Sequence, residues 1–460
     1  MGRNKVTAIL LSICLLLSGC SGSSVGELVA GTEQEGAVQG ESDHISYEVP
    51  AAVPNIFVDR LGYEPESSKV VIFRGENLPD VFTIRDVESR EIVYTGTIQK
   101  KYEEEAEQEF NGYGTFSDFK KEGDYFIQTD IYGESYPFMI HDNLYYSLFL
   151  QCCEQLYALR SDEDQGTDGG WQMKETGADR EVRGCLCIYQ LLFSYELFPT
   201  VYTDDVGISE SGNDIPDILD ECRYEIEWLL KQMQDVRERK GTVNGYLAAC
   251  LAKYAYLTKN MDAAFAEECL AGAEKAWKSV EKDLTVSDDL IALAAAELYR
   301  VTGSRQYLGL AEEYLQNSAE QEGRLSMPEF YAALTYMNTK SKVDVQLCDV
   351  LIRKVMEEAE TISEKSGQNS FLIYAEDVNA DRDTLLQEVL RIGAVNHIIT
   401  NQEYNIVIEN HFHYLMGRNP ESIIHASLWE GQNINTEDIM DDPVQLSAFI
   451  FMLGELLGSQ

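Results

Sequence analysis

The chain has no Cys-x-x-Cys pair of the kind that clasps zinc, no fixed internal repeat period, and no apolar run of membrane length beyond its first twenty residues. It is also short of positive charge. Against 79 acidic side chains it sets 36 basic ones, a formal net charge of -43. That balance repels nucleic acid and anionic lipid surfaces, and it fits a soluble exported surface better than a specific cation-binding role. The absent repeat argues against a solenoid. Cysteines are present, at Cys152, Cys153, Cys185, Cys187, Cys222, Cys250, Cys269 and Cys348, but they lie in segments of helical periodicity and read as small buried apolar residues.

The amino terminus has the order of an export signal. Arg3 and Lys5 precede an apolar run from Val6 to Leu17, closed by Leu17-Ser18-Gly19-Cys20. A short apolar stretch ending in small residues and a cysteine is a lipoprotein signal peptide over 1–20, with Cys20 as the lipidated residue. Residues 21–52 contain no Lys or Arg and are rich in Gly, Ser, Ala and Glu, so they are expected to form a disordered tether. The expected location is the outer face of a bacterial membrane, with the lipid on Cys20 as the membrane partner.

Some 408 residues follow the tether, enough for two domains. From Ile56 to Ile140 the apolar pattern is short and alternating, in "NIFVDRLGY", "KVVIF", "VFTIRD", "EIVYTGTI", "YGTFSDF", "GDYFIQT" and "SYPFMI". About seven strands at this spacing predict a small antiparallel β-sandwich over 53–140. From Asn143 the period changes to three or four. Helices are expected near 143–160, 183–198, 215–234, 243–258, 262–280, 286–303, 305–318, 326–339, 345–364, 382–400, 403–416 and 442–457. Twelve helices in consecutive hairpins predict an all-α (α/α)6 barrel over 141–460, and the whole chain is multidomain.

Several motifs resemble the exported cellulases of glycoside hydrolase family 9 that carry an amino-terminal immunoglobulin-like domain. Arg60-Leu61-Gly62-Tyr63-x-Pro65, Lys69-Val70-Val71, Phe116-Ser117-Asp118-Phe119 and Gly123-Asp124-Tyr125 resemble that small domain. Asp168-Gly169-Gly170-Trp171, "YELFP" at 195–199, "ESGNDIPDILDECRYEIEWLLKQMQ" at 210–234 and "YLMGRNP" at 414–420 are similar to blocks of the barrel. The resemblance implies an inverting hydrolase of β-glucan, which needs a base carboxylate and an acid carboxylate roughly 6.5 to 9.5 Å apart.

The resemblance breaks where that chemistry belongs. The family places its base in Asp-Ala-Gly-Asp directly after Gly-Gly-Trp-x, and the same four positions here are Met173, Lys174, Glu175 and Thr176. Glu175 and Asp179 are the nearby carboxylates left as weak base candidates. Thr436-Glu437 stands near the place of the family's Asn-Glu pair, which makes Glu437 the candidate acid, against the alternative of a surface glutamate in an acidic cluster. The substrate loop is shortened: sixteen residues separate Pro420 from Glu437, with His425 the sole histidine among them, and Gly241 follows Met233 by only eight positions. Trp171, His425 and Trp429 are the candidate substrate-binding residues, with a buried packing role as the competing expectation for Trp171.

No cofactor is expected. "SDEDQGTD" at 161–168 is acid-rich but lacks the twelfth-position glutamate of a calcium loop, so calcium is left open and unsupported. Three functions remain: a cellulase-like glycan-binding or scaffolding protein with hydrolysis impaired, a hydrolase with relocated carboxylates, and an envelope interaction module without a glycan role. A polysaccharide or oligosaccharide is the partner in the first two; nucleic acid is a partner in none.

Overall fold

A computed structural model describes residues 46–104, 109–161, 169–235, 240–375, 379–426 and 438–458. The signal peptide, Cys20 and most of the expected tether lie outside the described residues, as do Trp429, Glu437 and most of "SDEDQGTD".

Nine short strands are described: β1 (Ile56–Phe57), β2 (Val70–Gly75), β3 (Val81–Asp86), β4 (Ile92–Thr97), β5 (Gln99–Glu104), β6 (Glu109–Thr115), β7 (Gly123–Thr129), β8 (Gly133–Glu134) and β9 (Phe138–Ile140). They form two antiparallel sheets, one in the order β1-β2-β6-β5 and the other in the order β4-β3-β7-β8, with β9 paired to β7. Inward residues of both sheets meet in one core of Val71, Phe73, Phe82, Ile84, Phe116, Tyr125, Ile127 and Phe138, the alternation that predicts a sandwich. Two strands, β5 and β8, were missed by periodicity: β5, "QKKYEE", is a charged edge strand, and β8 is only two residues long. The expected strand at "YGTFSDF" is displaced: β6 begins upstream, and the Phe116–Phe119 stretch turns instead.

Twelve α-helices follow among the described residues: α1 (Leu144–Ala158), α2 (Gly177–Leu197), α3 (Asp217–Asp235), α4 (Gly241–Thr258), α5 (Ala263–Val280), α6 (Asp288–Thr302), α7 (Arg305–Glu320), α8 (Met327–Met337), α9 (Val345–Gln368), α10 (Arg382–Ile399), α11 (Gln402–Leu415) and α12 (Pro443–Gly458). The even-numbered helices are apolar almost all round. α2 packs on α4, α4 on α6, α6 on α8, α10 on α12, and α12 on α2. The helices between them are amphipathic: α7 buries only Ala311, Leu315 and Ser318, the stripe of an outer layer. This is the (α/α)6 arrangement. None of the described helices is long and apolar enough to cross a membrane.

One departure matters for the site. α2 starts at Gly177, six residues ahead of the expected 183, because the polar "GADREV" carries little apolar periodicity although it continues the helix. Thr176 is its N-cap and Asp179 lies in its first turn, where a carboxylate is favoured by the helix dipole.

The sandwich and the barrel share a tight polar seam. The Arg60 N–H donates to the Met416 carbonyl at 2.8 Å and its guanidinium to the Ser422 carbonyl at 2.8 Å. The Tyr113 hydroxyl donates to the Ser370 carbonyl at 2.8 Å, and Phe57 meets Phe371 edge to face. Gly417 has φ 115°, and a Cβ there would strike the Arg60 side chain at 2.8 Å, so a substitution would force the seam apart. Limited proteolysis is therefore expected to leave the sandwich and barrel on one species. Clean separation at 139–144 into two stable fragments would contradict it.

Candidate functional site

The approach loop "GGWQMKET" runs from Gly169 to the N-cap of α2. Gly169 and Gly170 both have positive φ, at 79° and 71°. Glycine is required at 170 by contact as well as by conformation: an added Cβ would lie 2.5 Å from a Glu225 carboxylate oxygen and 2.7 Å from the Arg180 guanidinium.

Two buried glutamates one turn apart on α3 hold this loop from beneath. The Trp171 N–H donates to Glu225 Oε2 at 2.6 Å and the indole Nε1–H donates to Glu221 Oε2 at 3.3 Å. Arg160 also donates to Glu221, at 3.1 Å. Burial raises the Glu221 carboxyl to about 7 and the Glu225 carboxyl to about 8, and the cations beside them, Arg160 and Arg180 respectively, oppose the shift. Arg180 donates to the carbonyls of Gly169 and Trp171 at 2.9 and 2.8 Å and lies flat on Trp228. Neither glutamate stood out in the sequence. The available signal was their i, i+4 spacing beside the apolar stripe of Cys222, Ile226 and Leu229.

Trp171 is fully buried. The substrate-contact assignment for it is corrected: its ring faces Glu221 and the core, and offers no platform to a sugar in this conformation.

At the positions where paired aspartates are expected, Met173 is half-buried against the barrel core, and Thr176 is an exposed N-cap. Glu175 is bound to Arg183 at 3.1 Å, and Arg183 also holds Asp442 at 2.5 Å. Asp442 in turn accepts the Val444 N–H at 2.9 Å at the start of α12. This three-residue ion bridge ties the loop to α2 and α12. Glu175 in this position is committed to a cation, and Asp179 stands exposed in the first turn of α2.

His425 is held by its backbone: its N–H donates to the Leu415 carbonyl at 2.8 Å, and its carbonyl accepts the Ile439 N–H at 2.9 Å. Those bonds bring together the two ends of the segment that contains Trp429 and Glu437. Burial, and then the nearby Arg382, push the His425 imidazole down to about 4, so it is neutral near pH 7. Among the described residues no group of three or more His, Cys, Asp or Glu side chains is arranged to hold a metal ion. The eight cysteines from Cys152 to Cys348 are free thiols, seven of them buried. At the C-terminal ends of α2, α8 and α10, away from the approach loop, a cavity of about 270 Å³ is lined by Phe193, Glu196, Leu334, Asn338 and His397. Glu196, from "YELFP", is consumed there by ion pairs with Lys253 and Arg300.

A family model described as "Cellulase N-terminal ig-like domain" matches residues 51–134. A second, "Glycosyl hydrolase family 9", matches residues 232–426. The second match begins after the approach loop and ends before Glu437, so both places where the hydrolytic carboxylates are expected fall outside it. Among curated relatives, a cellulose 1,4-beta-cellobiosidase of Acetivibrio thermocellus is 28% identical over a third of this chain (33%) and 23% of its own length. Endoglucanase D of the same organism is 22% identical over 55% of this chain and 52% of its own length. The chain thus spans about half, or less, of the curated relatives it matches. Among solved structures, a metagenome-derived glycoside hydrolase family 9 endoglucanase superimposes with a TM-score of 0.73 at 19% identity, covering 88% of this chain and 99% of that one. A Bacteroides ovatus family 9 structure gives 0.68 at 16% identity over the same shares. At these identities the likeness establishes the fold.

Proposed function

We propose that the chain, whose barrel matches the glycoside hydrolase family 9 model over residues 232–426, is a cellulase-like protein of β-glucan metabolism that engages glucan chains without hydrolysing them. The observation that carries this reading is the ion bridge Glu175–Arg183–Asp442. The carboxylate of the loop nearest the expected base position is locked to an arginine, and the expected positions themselves hold a thioether and a hydroxyl. A base must face the water it activates, and neither group can accept that proton near neutral pH.

Glycan engagement rests on the family fold and on the relatives named above. The test pairs two assays on the purified chain: binding of a soluble β-1,4-glucan, expected to be saturable, and release of reducing ends, expected to stay at background. Absence of binding would favour a role in protein assembly instead.

The place of action rests on the Leu-Ser-Gly-Cys motif alone, as a lipid anchor on Cys20 at the outer face of a bacterial membrane. Cys20→Ala is expected to move the protein out of the membrane fraction or leave its signal peptide uncleaved. Normal processing with unchanged membrane fractionation would remove the anchor from the account.

A further inference from the structure

We propose that Asp59 and His413 form a proton-linked latch between the sandwich and the barrel, in which a single proton is trapped between the two side chains. Asp59 lies in the turn after β1, and His413 lies on α11, 354 positions away. Both are completely buried. Asp59 Oδ1 accepts the N–H groups of Leu61 and Gly62 at 2.8 and 2.9 Å, and Oδ2 is 2.7 Å from His413 Nδ1. On the other side of the ring, His413 Nε2 is 3.1 Å from the Ser68 carbonyl oxygen.

These contacts fix the proton count. A carbonyl oxygen only accepts, so Nε2 must carry a hydrogen. Nδ1 and Oδ2 then need a second hydrogen between them, since without it two acceptors would face each other in a water-free seam. Moving the Nε2 hydrogen to Nδ1 would abandon Ser68. The pair therefore holds one proton beyond an ionised carboxylate and a neutral imidazole, whether it is written as an ion pair or as an acid and a neutral ring. Burial, the largest influence on each, drives the Asp59 carboxyl up and the His413 imidazole down, which places that proton on the carboxyl side.

The direction of the pH effect follows. A raised Asp59 favours folding fully below the ordinary carboxylate range and loses that contribution as pH rises. A lowered His413 favours folding fully above the ordinary imidazole value and loses it as pH falls. Between about pH 4 and 6.5 the two slopes cancel. Above about 6.5 the unfolded chain has released both protons while the folded latch keeps one, so the latch costs a factor of ten in the folding constant per pH unit.

Other groups face the latch. Arg418 acts on both members, Lys69 acts on His413, and the Tyr63 hydroxyl accepts the Asp59 N–H at 3.0 Å. Glu409, Glu64 and Tyr145 complete the surroundings. Burial raises Glu409 to about 7 and lowers Lys69 to about 8, so both titrate in the same window. They are common to the native chain and to an Asp59 variant, and a difference between the two cancels them.

The test is Asp59→Asn in the full chain. Its amide N–H donates to Nδ1 and its oxygen accepts from Leu61 and Gly62, which reproduces the protonated acid without a titrating group. Denaturant unfolding is measured from pH 5.5 to 8.5 for both proteins. Relative to the variant, the native chain is expected to lose about tenfold in folding constant per pH unit across the whole range: below about pH 6.5 the variant, which keeps only the lowered His413, gains stability with pH while the native chain stays level, and above it the variant is level while the native chain falls. Parallel curves throughout would overturn the latch. So would a variant that fails to fold, because it retains every hydrogen bond the latch requires.

Discussion

Purified protein incubated with a soluble β-1,4-glucan is expected to release reducing ends at a rate at least a hundredfold below that of an active family 9 endoglucanase. Loss of general-base help alone costs typically a hundred- to ten-thousand-fold. Three features push in that direction. Met173 has no ionisable group and packs on the barrel core. Thr176 is used as the N-cap of α2. Glu175, the intervening carboxylate, is held by Arg183 and cannot swing towards a substrate without breaking a bridge that also engages Asp442. Even with Glu437 as a working acid, no water would be activated on the opposite face of the sugar. Restoring the pair with Met173→Asp and Thr176→Asp is expected to return only a trace of activity, because the sequence is also short, against the family pattern it resembles, at 234–240 and 421–436. A robust turnover that disappears on Asp179→Ala would show that a carboxylate outside the family pattern does the work.

Trp171→Ala is the substitution expected to damage stability most. The indole is fully buried, and its removal leaves a cavity together with a Glu221 carboxylate short of one donor. Large aromatic-to-alanine changes in cores cost about 3–5 kcal/mol, and the orphaned carboxylate adds to that. Denaturant unfolding measures it directly. A loss below about 1 kcal/mol, within the range of surface changes or slightly above, would mean the ring is not the structural element inferred here. A pure sugar platform would show the opposite pattern, with stability kept and glucan affinity lost.

Much of the fold was legible because the apolar period changes once, from two to between three and four, at the short junction between Ile140 and Leu144. Charged "QKKYEE" and polar "GADREV" hid a strand and a helix start, since edge strands and first turns need no apolar face. At the approach loop the sequence itself shows Met173, Lys174, Glu175 and Thr176 where the family pattern has Asp-Ala-Gly-Asp. The contacts around them were not legible there. That Arg183 reaches both Glu175 and Asp442, that Glu221 and Glu225 turn inward under the loop, and that Asp59 meets His413 are contacts between distant positions, created only when α2, α3, α11 and α12 pack. An acid on an amphipathic helix is ordinarily a solvated one. Glu225 is buried because Gly170 and Gly184 have no side chains to exclude it.

The central claim, engagement without cleavage, is tested most directly by holding a six-sugar β-1,4-glucan oligosaccharide with excess protein and determining the mass of the bound fraction after prolonged incubation. The account predicts that the intact hexasaccharide is recovered bound. Shorter sugars that appear with the native chain and vanish with Glu437→Ala or Asp179→Ala would contradict it.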